Sequence, residues 1–373
     1  MTRARRLLLP VLIVGLVALA AFGVRQLIVG QEGPRLQEGP RLVVAIDDRA
    51  LARSGWNSVI VVVDPLSGLT LGEIDGGYRP WVLLRPSRGQ ILAAQLLGRG
   101  SVKTPLLRIF DIEDLTSPSI TIPLPDRGAE VIYSPRMVLS GDEQLLYYVK
   151  VGNICPEGGD AALCGTSTIG VVDLEKNVEV AAAEIPLVGC GFPKLAPVGD
   201  TDAIALCGHQ SKLTLFNVTP QGTATEFASF PTRDTGAVTM GVTGDGTYYV
   251  VYFDGVVLTA DSNSATIDYL PTDDIRAGFS AWSTFGSDRF LFAYGAGASP
   301  PYDGMIIFSR ADPTDFENVE FPFPVDGVAP IDASRVAILR SGSPQLSILD
   351  LRTGEIVGSD SPVPVGVRWL VGN

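Results

Sequence analysis

WVLLRPSRGQILAAQLLGRGSVKTPLLRIFD, residues 81–111, holds the unit from which the rest of the chain can be read. Its middle run, ILAAQLL (91–97), is apolar almost throughout, and its last run, LLRIFD, closes on Asp111. A half-exposed strand alternates apolar and polar residues; a strand covered on both faces does not. Both runs therefore read as strands sandwiched between other sheets. Outward from here the same Asp-closed run recurs: VIVVVD to Asp64, IGVVD to Asp173, LTLFN to Asn217, GVVLTAD to Asp261, GMIIFS to Ser309 and LSILD to Asp350. Each is preceded by an apolar strand: LVVAI (42–46), LLYYV (145–149), AIALC (203–207), YYVVYF (248–253), FLFAY (290–294) and VAIL (336–339). Seven copies at about 48-residue intervals are the mark of a stacked repeat.

A further strand precedes each apolar one: WVLLR (81–85), MVLS (137–140), FPKLA (192–196), VTMGV (238–242), FSAWS (279–283) and GVAPI (327–331), with VRWLV (367–371) at the end of the chain. Four strands per repeat and seven repeats predict an all-β, seven-bladed β-propeller over 42–373. The chain begins with the second strand of a blade and ends with the first strand of one. Strand 367–371 is therefore expected to pair beside 42–46 and close the ring. The aspartates read as turn formers, whose carboxylates accept backbone N–H groups two residues on.

Residues 1–6 form a basic n-region, and Leu7 to Val24 is an apolar run that reads as a signal anchor or a cleaved signal peptide. Residues 25–41, with the tandem EGPRLQ-EGPRL, read as a Gly/Pro linker. Membrane contact is expected through the N-terminal segment alone. The propeller lies outside the cytoplasm, single-pass or secreted if the segment is cleaved. A net charge of −13, from 28 basic and 41 acidic residues, argues against a nucleic-acid partner.

Four cysteines in an exported chain suggest two disulfides. Cys155 and Cys164 are centred on the turn Gly159-Asp160, and Cys190 and Cys207 on the turn Gly199-Asp200, so the pairs Cys155–Cys164 and Cys190–Cys207 are expected. The alternative, a zinc site from all four, lacks C-x2-C spacing. His209 is the single histidine, and no arrangement of Ser and acid around it in sequence suggests a triad. No catalytic residue, metal or cofactor is expected.

The loops leading into each repeat's first strand gather charge: DGGYRP (75–80), PDRGAE (125–130), VGCGFP (188–193), PTRDTG (231–236), PTDDIRAG (271–278), PVDG (324–327) and VPVGVR (363–368). Arg79, Arg127, Arg233, Arg276 and Arg368, with Tyr78, are the candidate ligand-binding set, because a guanidinium presents a planar fork of donors to an anion. Asp75, Asp126, Asp234, Asp273 and Asp274 are the acids that would instead pair with them. The expected partner is a protein or a small anionic ligand.

The repeat, an apolar strand, VVD-x-x-x-G and a third strand followed by G-x-x-P, resembles YVTN-type and WD40-like repeat propellers over about residues 42–373. The stretch from Gly189-Cys190 through Ala196-Pro197-Val198 to Cys207-Gly208 resembles the disulfide-bearing region of amine dehydrogenase heavy chains. The first resemblance implies a non-catalytic binding platform. The second implies a propeller subunit that pairs with a smaller quinone-bearing one.

Overall fold

The computed structural model describes residues 43–47, 58–64, 70–97, 104–124, 137–151, 166–190, 193–209, 212–231, 239–242, 248–251, 256–260, 265–269, 281–285, 289–294, 301–309, 316–332, 334–343, 345–357, 361–362 and 367–371. The N-terminal segments 1–6, 7–24 and 25–41 lie outside them, as do Cys155 and Cys164. Among the described residues no helix is long and apolar enough to cross a membrane.

Strands arise wherever β-branched and aliphatic residues run between turn residues. In chain order they are β1 (Val43–Asp47), β2 (Ser58–Val63), β3 (Thr70–Arg85), β4 (Gln90–Leu97), β5 (Thr104–Asp111) and β6 (Ile120–Pro123). Next come β7 (Met137–Leu139), β8 (Leu145–Val151), β9 (Ser167–Asp173) and β10 (Val178–Glu184). They are followed by β11 (Lys194–Val198), β12 (Asp202–His209), β13 (Lys212–Val218) and β14 (Ala224–Pro231). Then follow β15 (Thr239–Val242), β16 (Tyr248–Val251), β17 (Val256–Ala260) and β18 (Ala265–Tyr269). The last group is β19 (Ala281–Phe285), β20 (Arg289–Tyr294), β21 (Tyr302–Ser309), β22 (Phe316–Asp332), β23 (Arg335–Arg340), β24 (Gln345–Asp350), β25 (Glu355–Ile356), β26 (Ser361–Pro362) and β27 (Val367–Val371).

Every strand of the three classes named from sequence is present, and every pairing is antiparallel. Three sheets are plain four-stranded meanders, β7–β10, β11–β14 and β15–β18. The other two are longer because β3 and β22 each serve two sheets. β3 pairs with β2 as far as Gly77 and with β4 from Tyr78 onward. β22 likewise pairs with β21 in its first half and with β23 from Val325. The stretches DGGYRP and PVDG, expected as loops, are thus continuous strand. At the other end of the first sheet β27 pairs antiparallel with β1, Val44 opposite Val371 and Ile46 opposite Trp369. The first strand of each four-stranded set touches the next: β3 lies beside β7, β7 beside β11, β11 beside β15, β15 beside β19, β19 beside β22, β22 beside β27, and β27 beside β3.

The core lies between sheets, which explains the unbroken apolar runs. On β4, Ile91 and Ala93 pack with Ile60, Val62 and Ile74 on one side. Leu92 and Ala94 pack with Leu146, Tyr148 and Val172 on the other. All four β4 residues are fully buried, and burying each large aliphatic side chain stabilises by about 1.5–3 kcal/mol. Val61 and Val63 of β2 pack against Ile331, Ala337 and Ile348 from the far end of the chain.

Turns between first and second strands interlock across sheets. Asp142 N–H donates to the Asp200 carbonyl at 3.0 Å, and the Tyr147 hydroxyl donates to the Thr201 carbonyl. Ser87 N–H donates to Glu143 at 3.2 Å. Gly141 sits at this seam, where an added Cβ would lie 2.3 Å from the Gly199 carbonyl oxygen. Since backbone on both sides must shift, Gly141→Ala is expected to destabilise by about 1–3 kcal/mol, the cost of overpacking. A urea midpoint equal to wild type would show that the seam yields freely.

The turn-forming role of the aspartates holds at two described sites. Asp173 accepts the N–H groups of Glu175 and Lys176 at 3.0 and 2.9 Å, and Asp350 accepts that of Arg352 at 2.8 Å. The Lys176 ammonium and these N–H groups hold the Asp173 carboxyl below the usual carboxylate range. Asp111 and Asn217 behave differently. Asp111 accepts from the Gln90 side chain at 3.0 Å and Asn217 donates to Asp202 at 3.2 Å, so both tie the third strand of their sheet to the second. After Asp111 the turn is made instead by Asp114, which accepts the Thr116 N–H at 3.1 Å.

Candidate functional site

Of the candidate residues, Tyr78 and Arg79 lie where β3 crosses from one sheet to the next. At the first crossing Asp75 accepts the Gly77 N–H at 3.1 Å, and Gly77 takes a left-handed φ of 65° that a side chain would disfavour. Beyond it Tyr78 pairs with Leu96 and Trp81 with Ala94. Arg79 and Pro80 together oppose the single residue Gln95, forming a β-bulge. Pro80 has no N–H to give to a ladder, which suits a position where pairing lapses.

Gln95 fills the gap with its side chain. It is fully buried; its amide N–H donates to the Asp75 carbonyl at 2.7 Å, and its amide oxygen accepts from Arg108 at 3.2 Å. The Arg108 guanidinium lies 5.0 Å from the Phe110 ring centre, a cation–π distance. Gln95 and Arg108 thus hold the crossing in place from behind.

The same device appears on the two adjacent first strands. On β27, Ile46 pairs with Trp369 and Asp47 with Val367, which leaves Arg368 as an extra, bulged residue. On β22, Val325 pairs with Arg340 and Gly327 with Leu339, which leaves Asp326 bulged. Bulges turn a strand locally and re-aim side chains, and they concentrate beside functional sites. Three neighbouring first strands therefore bulge at their starting ends, at Asp326, Arg368 and Arg79–Pro80. Trp81, two positions further along β3, is 40% exposed although Val82 and Leu84 beside it are buried.

Of the residues expected from sequence, Tyr78 and Arg79 are placed on β3 and Arg368 on β27, strands that touch. Arg127, Arg233 and Arg276 lie outside the described residues. Asp326 and Trp81 were not singled out from sequence. Trp81 was hidden in a run read as structural, and only its exposure distinguishes it. His209 ends β12, its backbone opposite Lys212.

The disulfide Cys190–Cys207 is present, with Cα atoms 5.2 Å apart. Its geometry differs from the hairpin expectation. The ladder starts at Lys194 opposite Leu206, so Cys190 lies in the loop that precedes β11. The bond ties that loop to the second strand, and Ser167 adds a 2.6 Å hydrogen bond to the Cys190 carbonyl. Cys190, ahead of β11, is thus pinned to the second strand of its sheet.

A separate polar network occupies the opposite ends of these strands. Arg88 pairs with Glu175 at 2.6 Å, and Arg85, only 6% exposed, reaches the same carboxylate at 3.5 Å. Arg85 also donates to Gln90 at 3.2 Å. These contacts join neighbouring sheets and read as structural. Within the β7–β10 sheet, Lys150 and Tyr148 both bond Glu179. Burial first, then the Glu179 hydrogen bond, raises the Tyr148 hydroxyl far above its ordinary value, so it stays a donor.

No protein-family model and no curated protein sequence matches the chain. Solved structures do match. The chain is similar to apo AztD from Citrobacter koseri, with a TM-score of 0.52 and 17% identity over 86% of this chain and 83% of that one. A 6-phosphogluconolactonase-like protein from Bacteroides fragilis gives a TM-score of 0.57 at 12% identity, over 91% and 99% of the two chains. The β-propeller domain of Cps50 from Myceliophteria thermophila gives 0.53 at 11% identity, over 76% and 87%. Four-stranded antiparallel sheets in series and these neighbours together establish a β-propeller fold. At such identities the likeness speaks to fold and not to activity.

Proposed function

We propose that this chain is a closed, seven-bladed propeller outside the cytoplasm that acts as a non-catalytic binding platform. Seven sets of four strands, the β1–β27 pairing and the unbroken circuit of neighbouring first strands support the blade count and the closure. The disulfide supports an oxidising compartment, and the basic, apolar N-terminal segment supports export and anchorage.

The observation that carries the binding role is the trio of bulges at Asp326, Arg368 and Arg79. Three touching strands bulge at their starting ends, and each bulge holds a charged residue. The partner is a protein or a small anionic ligand. Affinity capture from the source cells with the full-length protein tests this. Arg79→Ala/Arg368→Ala should lose the captured partner, while Arg88→Ala on the opposite face should retain it. Retention by the double variant would remove the assigned face.

A second reading, a heavy-chain-like subunit of a quinone-dependent oxidoreductase, draws on the Cys190–Cys207 bond falling within the stretch that carries that resemblance. Capture of a small quinone-bearing subunit would favour it.

A further inference from the structure

We draw no further inference here: the strongest candidate, the Arg85–Arg88–Glu175 side-chain cluster between the β3–β4 and β9–β10 turns, carries nothing, because the Arg85 Nε that lacks a hydrogen-bond partner is closed off from solvent and a ligand has no path to it.

Discussion

Lys150→Met is expected to destabilise the protein by about 3–5 kcal/mol, the usual cost of stranding one half of a buried ion pair. The Lys150 side chain is 6% exposed and that of Glu179 is 13%, so water cannot replace the lost ammonium. Tyr148 would still donate one hydrogen bond to Glu179, but a neutral donor does not balance a buried carboxylate. The site also loses the contact of the ammonium with the Tyr148 ring, 5.4 Å from its centre. Lys150→Met/Glu179→Leu should recover most of the loss, because an apolar pair of similar volume leaves no orphan charge. Urea unfolding of the two variants checks this. A double variant as unstable as the single one would mean that the ion pair itself, and not the avoidance of an orphan charge, stabilises the β7–β10 sheet.

Removing the Cys190–Cys207 bond by Cys190→Ala/Cys207→Ala is expected to cost roughly 3 kcal/mol in the chain-entropy model for a separation of 17 residues. Both cysteines are 1% exposed, so reduction of the folded protein should be slow and should track unfolding. The loss should appear as a lower denaturation midpoint with an unchanged slope against denaturant, because the surface exposed on unfolding hardly alters. A loss below about 1 kcal/mol would place the stabilisation in the Ser167 hydrogen bond and the surrounding core instead.

The strand order was legible because burial on two faces leaves a direct mark in composition. ILAAQLL and LLYYV admit almost no polar residue, and the structure places sheets against both sides of each. The polar intruders in those runs are themselves informative. Gln95, inside the first run, and Lys150, directly after the second, are the residues that carry the buried networks. Their presence was readable, but their partners were not. Asp75, Arg108 and Glu179 are brought to them by folding across other strands and turns, which no local spacing encodes.

The candidate site divides along the same line. Arginines repeat in the crossing stretches, so Arg79 and Arg368 could be named from the chain alone. That Asp326 and Trp81 belong with them could not be.

What the sequence by itself determined is the repeat: which residues form strands, how many strands each unit holds, and that the two ends of the body pair. These follow from periodicity and from apolar residues demanding cover on both faces. What only the tertiary structure decided is where the ladder fails. A bulge depends on the register of two strands that meet in space, and register reflects packing on both faces at once. Whether Asp326, Arg368 and Arg79 fall on neighbouring strands, beside an exposed indole, is settled by those long-range pairings.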